Sequence, residues 1–297
     1  MEPHRHLRRD RLKHIVKQFE NLCAFLCPYF PTWLKLTLKT PLFTLTIATV
    51  LSFSSKAQKT DSLPPHVYRW DSLITVIEDT RARKQVLEGS TTSLSYFESH
   101  VTSLQPGKAP HPPHTHADQE ELIIVKEGTV KITINGVSNI MGPGSIAYAI
   151  PGEEHGIINA GNTQATYYIF KYKSKLPMNL ERAKQNGGSF MINWDTVTVK
   201  KTDKGQRREF FNRPTSQLAK FEMHTTALNA GLDSHAPHMH IEEEVILIIK
   251  GNVTMHIAGN LYPAGAGDVV FLSSGVSHAL LNTGKEQCEY FAFQWRN

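Results

Sequence analysis

The 297-residue sequence predicts an all-β protein built from two tandem β-barrels. Three observations support this fold class. One stretch of sequence recurs about 123 residues later, short apolar or alternating runs are separated by Gly, Pro and Asn, and helical periodicity is nearly absent. Many short strands at nearly regular spacing are typical of a β-sandwich or a β-barrel.

The repeat relates residues 107–161 to residues 231–284. Glu121 and Glu244 are 123 positions apart, whereas the two histidines that precede each glutamate are offset by 124. The second copy therefore lacks one residue between its second histidine and its glutamate, a length change that belongs in a loop. Self-similarity on this scale indicates that the same structural unit occurs twice.

The strands expected within the two copies are apolar or alternating runs of four to six residues. They are Leu122–Val125, Val130–Ile134, Ile146–Ile150, Tyr167–Tyr172, Val245–Ile249, Val253–Ile257, Val269–Leu272 and Tyr290–Trp295. A helix is expected at Leu180–Gln185, and flanking strands are expected within 62–88 and 189–221. The predicted domains are 58–175 and 176–297, after a leader at 1–57.

The leader has the pattern of a secretory signal peptide. An apolar run from Pro41 to Phe53 follows a basic segment and precedes Ser55-Lys56-Ala57, a small-residue cleavage pattern. The run is shorter than the roughly 20 apolar residues that cross a bilayer. We therefore expect cleavage near Ala57, export to the periplasm or beyond, and no stable membrane span afterwards; an N-terminal membrane anchor is the alternative.

Charge and cysteine content exclude several classes of protein. Residues 1–57 hold nine Lys or Arg and three Asp or Glu, which leaves 23 of 32 basic and 24 of 27 acidic residues for the rest. A basic face for nucleic acid is not supported. Cleavage leaves Cys288 without a disulfide partner. No phosphate loop, dinucleotide fingerprint or nucleophile motif is present.

The first copy contains three histidines and a glutamate at the spacing of a metal site. His114 and His116 are two residues apart, so on a strand both project to one face. Glu121 then lies on the neighbouring strand, and His155 comes from another hairpin. Three imidazoles and one carboxylate suit Fe, Mn, Ni, Co, Cu or Zn, and they leave two positions of a six-coordinate ion open.

The second copy repeats the set with His238, His240, Glu244 and His278, so up to two divalent transition metals per chain are expected. In the first copy Glu120 also has a permitted spacing. Glu121 is preferred because six residues separate it from the following glycine, as six separate Glu244 from Gly251.

Both strings resemble the two conserved motifs of the cupin superfamily, and Pro112-Pro113-His114-Thr115-His116 looks like the germin-type form. The resemblance covers about 60–297. It implies a bicupin of two double-stranded β-helix (jelly-roll) barrels with the eight ligands named above, and it makes a homo-oligomer possible. The sequence departs from the motif at Ile150 and Ser273, where a turn proline is usual.

The likeness to quercetin dioxygenases and oxalate decarboxylases implies an oxidoreductase of dioxygenase type that acts on a small oxygen-rich organic molecule. Two alternatives stay open. One is a non-redox metal-dependent hydrolase, isomerase or aminohydrolase. The other is a non-catalytic module that binds a sugar or an acid. In either enzyme class, one barrel can be catalytic and the other structural.

Other residues are weaker candidates for function. Glu154 beside His155 and Glu243 beside Glu244 are candidate general acids or bases, as are their neighbours Glu153 and Glu242. His111 and His235 each precede a ligand histidine by three residues. The remaining candidates are three arginines that could bind a substrate carboxylate and two histidines that could face a barrel interior: Arg207, Arg208, Arg213, His224 and His256.

Overall fold

The structure, a computed structural model, describes residues 62–297. These residues confirm the predicted all-β class and the two tandem barrels. The predicted leader and its cleavage point lie outside the described residues. Within the described part, no helix is long and apolar enough to span a membrane.

The first half contains eleven strands in chain order. They are β1 His66–Tyr68, β2 Thr75–Ile77, β3 Arg81–Gly89, β4 Leu94–Leu104, β5 Glu120–Glu127, β6 Val130–Ile134, β7 Val137–Met141, β8 Ile146–Ala149, β9 His155–Asn159, β10 Ala165–Ser174 and β11 Phe190–Ile192. A seven-stranded sheet in the order β11-β8-β5-β10-β4-β3-β2 faces a three-stranded sheet, β7-β6-β9. All neighbouring strands are antiparallel.

The second half repeats this arrangement. Its strands are β12 Val199–Thr202, β13 Gly205–Arg213, β14 Lys220–Leu228, β15 Glu243–Lys250, β16 Asn252–Ile257, β17 Asn260–Gly265, β18 Val269–Leu272, β19 His278–Asn282 and β20 Cys288–Arg296. The sheets have the orders β1-β18-β15-β20-β14-β13-β12 and β17-β16-β19. Helix α1, Leu180–Gln185, occupies the predicted position, and its N-cap Asn179 accepts a hydrogen bond from Arg182 N.

The central strands are apolar on both faces because each face belongs to a different core. On β5, Ile123 and Val125 point into the barrel interior, whereas Leu122 and Ile124 join a second core outside the barrel. Strand β15 follows the same alternation. Strands buried on both sides have nearly continuous apolar sequences, which explains why these runs were recognisable in the sequence.

The outer core is shared by the two repeats. Phe170 on β10 and Phe293 on β20 occupy equivalent positions and meet edge to face, with ring centroids 5.0 Å apart. Phe97 contacts Phe271 and Trp295 of the other repeat. The barrels are therefore joined by one continuous apolar interior, the main source of stabilisation in a domain of this kind.

The short strand that precedes each barrel in the sequence pairs with the sheet of the other barrel. Strand β1, within the predicted N-terminal domain, pairs with β18 in the sheet of the second barrel, and β11, within the predicted C-terminal domain, pairs with β8 in the sheet of the first. Trp70 follows β1 and lies against Gly267, and Trp194 follows β11 and lies against Gly144. A Cβ at Gly144 would come within 2.4 Å of the Trp194 ring. Sheet membership thus exchanges across the predicted boundary near residue 175.

Two buried glutamates form reciprocal ties between the barrels. Glu120 on β5 accepts hydrogen bonds from Thr215 Oγ1, Ser216 N and Oγ, and Gln217 N. Its equivalent, Glu243 on β15, accepts them from the loop 91–93 and from the Trp295 indole. Most of the donors to each carboxylate therefore come from the other repeat.

Candidate metal centres

The first cluster is formed by a loop that pairs with β9. His114 N donates to His155 O at 3.0 Å and His155 N donates back to His114 O at 2.9 Å, which fixes the loop beside the strand. The Nε2 atoms of His114 and His116 are 3.1 Å apart, and His116 Nε2 lies 3.1 Å from Glu121 Oε2. His155 Nε2 is 3.6 Å from Glu121 Oε1.

The second cluster is built in the same way. His238 and His278 exchange backbone hydrogen bonds of 3.1 and 2.9 Å. Glu244 Oε2 lies 3.4 Å from His240 Nε2 and 3.2 Å from His278 Nε2. All four predicted ligands thus come together at the first site, with Glu121 rather than Glu120 facing it. At the second site His238, His240 and His278 form the group, and Glu244 lies beside two of them.

The donors at both sites fit a divalent transition metal. Two Nε2 atoms 3.1 Å apart match ligands at about 2.1 Å from a common ion and roughly at right angles. His155 Nε2 and His278 Nε2 are buried and have no hydrogen-bond partner in the described part of the chain. Buried polar nitrogens without a partner are costly unless a cation takes their lone pairs.

The backbone sets the orientation of three ligand rings. The Nδ1 atoms of His155, His240 and His278 lie 3.0, 3.0 and 2.9 Å from the carbonyl oxygens of Glu153, Glu242 and Val276 respectively. With Nδ1–H donating to a carbonyl, Nε2 carries the free lone pair. These three rings therefore present Nε2 to the centre of the barrel.

The ligand carboxylates are ionised. Burial opposes ionisation of Glu244, but its close contacts with His240 and His278 outweigh burial and lower the pKa of Glu244 to about 2. The pKa of Glu121 is lowered for the same reasons, by His116 and His155. Burial and the neighbouring histidines lower the pKa of His114 to about 4, so this ring is neutral at neutral pH. A neutral imidazole is the form that binds metal.

Comparison with known proteins agrees with this geometry. The family model for the cupin domain matches the chain twice, over residues 100–170 and 224–293. The protein is a bicupin of the cupin superfamily. Each match includes all four predicted ligands of its barrel. No curated protein matches the bicupin in sequence.

Solved structures similar to the bicupin share its fold at low identity. Protein Ylba from E. coli is 16% identical, with 80% of this chain and 94% of that chain covered and a TM-score of 0.62. AerE from Microcystis aeruginosa is 13% identical, with 76% and 97% covered and a TM-score of 0.59. An oxalate decarboxylase from Lactobacillus farciminis, in a formate complex, is 13% identical, with 79% and 87% covered and a TM-score of 0.60.

A cavity of about 500 Å³ opens onto the second cluster of the bicupin. His238, His240, Glu244 and His278 form one end of its lining. The rest of the lining is mixed. Its apolar side chains are Leu228, Ile246, Ala279, Leu280 and Ala292, and its polar ones include Asp203, Lys204, Arg207, His224, Tyr290 and Gln294. A concave site in which polar groups converge beside an apolar wall suits a small molecule.

The equivalent wall of the first barrel is more filled. Ile169 stands where the second barrel has Ala292, and it is 4% exposed. Beside it, Glu98 is 2% exposed and is paired with Arg83 at 2.9 Å, His100 at 2.7 Å and Lys171 at 3.3 Å. The two barrels therefore present similar ligand sets but different surroundings.

Of the two proposed acid–base residues, the structure removes Glu243 from the site. Glu243 is adjacent in sequence to Glu244 but faces the opposite side of β15, where its carboxylate is bonded to the loop 91–93. Alternation of side chains along a strand causes this difference. Glu154 is exposed, and its side chain forms no hydrogen bond with the described residues. Its role in catalysis stays a prediction.

The other weak candidates separate clearly. His235 lines the cavity, and its ring lies 4.0 Å from that of His238, as the ring of His111 lies 4.3 Å from that of His114. Arg208 stacks on Trp194 at 4.1 Å and pairs with Glu289, and Arg213 stacks on Phe190 at 3.8 Å. His256 alternates with the buried Met255 and Ile257, so it faces away from the interior.

Sequence reasoning missed the residues that distinguish the two barrels. Ala292 and Gln294 line the second cavity, and Glu98 and Lys171 form the ion-pair network of the first. The repeat contained the signal, because the offset of 123 aligns Ile169 with Ala292 and Lys171 with Gln294. Only the pairing of β4, β10 and β5 shows that these positions face the metal site.

Proposed function

We propose that the bicupin is a metal-dependent oxidoreductase of dioxygenase type, and that its C-terminal barrel is the catalytic one. The substrate would be a small oxygen-rich organic molecule. The observation that carries the proposal is the cavity that opens onto His238, His240, Glu244 and His278. A ligand set that leaves positions open, next to a space of ligand size, is what turnover requires and a purely structural site does not.

A bound divalent transition metal would act as a Lewis acid on substrate oxygen atoms and, if redox-active, would exchange electrons. The protein's own residues supply the surroundings. Ile246, Leu280 and Ala292 form the apolar part of the cavity wall. Burial raises the pKa of Tyr290 to about 12, so its hydroxyl stays protonated and can donate to the substrate.

The N-terminal barrel is assigned a structural metal. Its four ligands form a complete cluster, but Ile169 and the pairs around Glu98 occupy the wall that is open in the second barrel. Metal binding that closes a barrel contributes to folding without turnover. The solved structures with a similar fold include oxalate decarboxylases.

The test uses His116→Ala and His240→Ala as a matched pair. Bound metal is measured by elemental analysis, and dioxygen uptake is measured with catechols, flavonols and small dicarboxylates. We expect two metals in the wild type, one in each variant, and loss of uptake in His240→Ala with most of it retained in His116→Ala. Uptake lost only in His116→Ala would move catalysis to the other barrel.

Two outcomes would replace the proposal. Turnover of a substrate by the zinc form without dioxygen would indicate a non-redox hydrolase or isomerase. Tight binding of a sugar or an acid without turnover by the manganese, iron, nickel, cobalt or copper form would indicate a binding module.

Export is a separate proposal that depends on the pattern in residues 1–57. Cell fractionation and N-terminal sequencing of the mature protein test it. A mature chain that begins near Gln58 outside the cytoplasm is expected, and a retained N-terminus in the membrane fraction would support the anchor instead.

A further inference from the structure

The cavity of the C-terminal barrel contains a basic pair that the metal cluster does not use. Arg207 on β13 and His224 on β14 both line it. Arg207 Nε is buried without a hydrogen-bond partner, and its nearest acid, Glu209, is 3.7 Å away and bonded to Lys200. The His224 ring forms no hydrogen bond within residues 62–297, so both side chains have donors to offer.

The first barrel contains the same pair in a different state. Arg83 and His100 occupy the equivalent positions, and the buried Glu98 holds both of them. In the second barrel the corresponding acid, Glu222, instead accepts a hydrogen bond from Gln294 at 2.6 Å and pairs with Lys220 at 3.5 Å. The Arg and His of the second barrel therefore lack the internal carboxylate that their counterparts have.

The pair lies on the strand rows next to that of the metal ligand Glu244. Glu222, Gln294 and Glu244 form one cross-strand row, His224, Ala292 and Ile246 the next, and Arg207, Thr226 and Tyr290 the third. The backbones of the first and third rows are four residues apart along each strand, or about 13 Å, and a long arginine side chain spans part of this distance, as Arg83 does when it contacts Glu98. A cavity of about 500 Å³ admits a molecule larger than a two-carbon acid.

We propose that the C-terminal barrel binds an elongated organic acid, with its carboxylate on Arg207 and His224 and its oxygen-bearing end at the metal. This inference rests on the proposed function and adds the substrate class to it. The apolar body of the acid would lie along Ala292, Ile246 and Leu280. A guanidinium forms paired, charge-assisted hydrogen bonds with a carboxylate, the group that Glu98 supplies in the first barrel.

The state of His224 agrees with this role. Burial, and then the charge of Arg207, lower the pKa of His224 to about 4, so at neutral pH the ring is neutral and keeps one N–H donor. The neighbouring Ala292 leaves room beside this ring. In the first barrel the larger Ile169 lies opposite His100 across the same pair of strands.

The test measures binding of 3,4-dihydroxycinnamate and of its neutral amide to the zinc-loaded full-length protein by calorimetry. The two probes share a catechol for the metal and differ in the carboxylate. We expect the acid to bind more tightly than the amide. Arg207→Gln should lower the affinity for the acid at least 10-fold and leave the affinity for the amide unchanged. Arg83→Gln, the matched change in the first barrel, should affect neither probe.

A second pair of variants controls for the cavity itself. Ala292→Ile fills the wall and should abolish binding of both probes, while Ile169→Ala should not change binding. Metal content and circular dichroism establish that Arg207→Gln is folded and loaded. Equal affinity for acid and amide, no binding of either, or an acid affinity unchanged in Arg207→Gln would overturn the inference.

Dioxygen uptake, measured separately with the redox-active metal, distinguishes the inference from the proposed function. If binding of the acid depends on Arg207 but no dioxygen is taken up, the acid site is supported and the oxidoreductase activity is contradicted. Uptake with 3,4-dihydroxycinnamate that is unaffected by Arg207→Gln keeps the oxidoreductase and removes the acid site.

Discussion

At the scale of single residues, the two barrels differ through a few substitutions at equivalent positions. Ile169 of the first barrel is larger than its equivalent Ala292 and leaves less space beside the metal cluster. Lys171 of the first barrel carries a positive charge that its equivalent Gln294 lacks. Glu98 and Glu222 are both acidic, yet their partners differ because of that second substitution. A pair of repeats can therefore keep identical ligands while only one retains an open, chemically free site.

The Glu98 network predicts a pH-dependent contribution to stability. Burial opposes ionisation of Glu98, but His100, Lys171 and Gln85 outweigh burial, so its pKa lies below the ordinary value of 4.5. A carboxyl with a lowered pKa stabilises the fold above its unfolded-state pKa and loses this effect as the pH falls through the folded value. Glu98→Gln should lower the unfolding free energy at pH 7 by about 2 kcal/mol.

Urea unfolding of the metal-free protein between pH 7 and pH 3.5 checks this prediction. The difference between wild type and Glu98→Gln should shrink once the pH falls below 4.5. The exposed Glu286→Gln is the control and should show no difference. A difference that is constant over this range would assign the effect to packing rather than to charge.

At the scale of elements, adjacent residues on one strand serve different purposes. On β5, Glu120 ties the barrel to the loop 215–217 of the other repeat, while Glu121 faces the metal cluster. On β15, Glu243 and Glu244 divide in the same way. Opposite faces of one strand thus couple each metal site to the junction between the barrels.

Removal of one tie should be strongly destabilising. Glu120→Ala leaves three buried donors without an acceptor, since Gln217 N also donates to Thr215 Oγ1, and each such donor costs about 1–3 kcal/mol, so the unfolding free energy should fall by roughly 3 kcal/mol or more. Glu243→Ala should have a similar effect because its tie is equivalent. Denaturant unfolding measures both, with Glu181→Gln, 76% exposed, as the control. A loss below 1 kcal/mol would contradict the structural role given to Glu120.

At the scale of the whole molecule, the two barrels form a single folding unit. They share the outer core around Phe170 and Phe293, they exchange β1 and β11, and Tyr168 donates to Gly267 O across the repeats. Each barrel has its own interior core, but the outer core and the exchanged strands hold both barrels at once. A chain joined in this way is expected to unfold cooperatively.

Phe293→Ala tests whether the two barrels unfold together. The side chain is 1% exposed, and its removal should cost about 3–5 kcal/mol while the unfolding transition stays single. Tryptophan fluorescence and far-ultraviolet circular dichroism should give coincident curves. Two separated transitions, with only one shifted by the substitution, would show that the barrels are independent. Val137→Ala, at an exposed position, should leave the curve unchanged.

The sequence by itself determined the fold class, the helix at Leu180–Gln185 and the residues of two candidate metal sites. These features depend on short-range spacing: two histidines two residues apart, a glutamate at the start of the following strand, and apolar runs between glycines. The repeat reinforced each of them. Local patterns of this kind are legible because a strand has a period of two and a barrel alternates inside and outside.

Only the tertiary structure decided which barrel is open and which glutamates are structural. The cavity wall collects residues from β13, β14, β15 and β20, whose contacts depend on strand pairing across as many as 76 positions of sequence. Glu243 was misassigned because its partners at 91–93 lie in the other repeat. Long-range partners leave no local pattern, so the free Arg207 and the paired Arg83 look alike in the sequence and differ only in the fold.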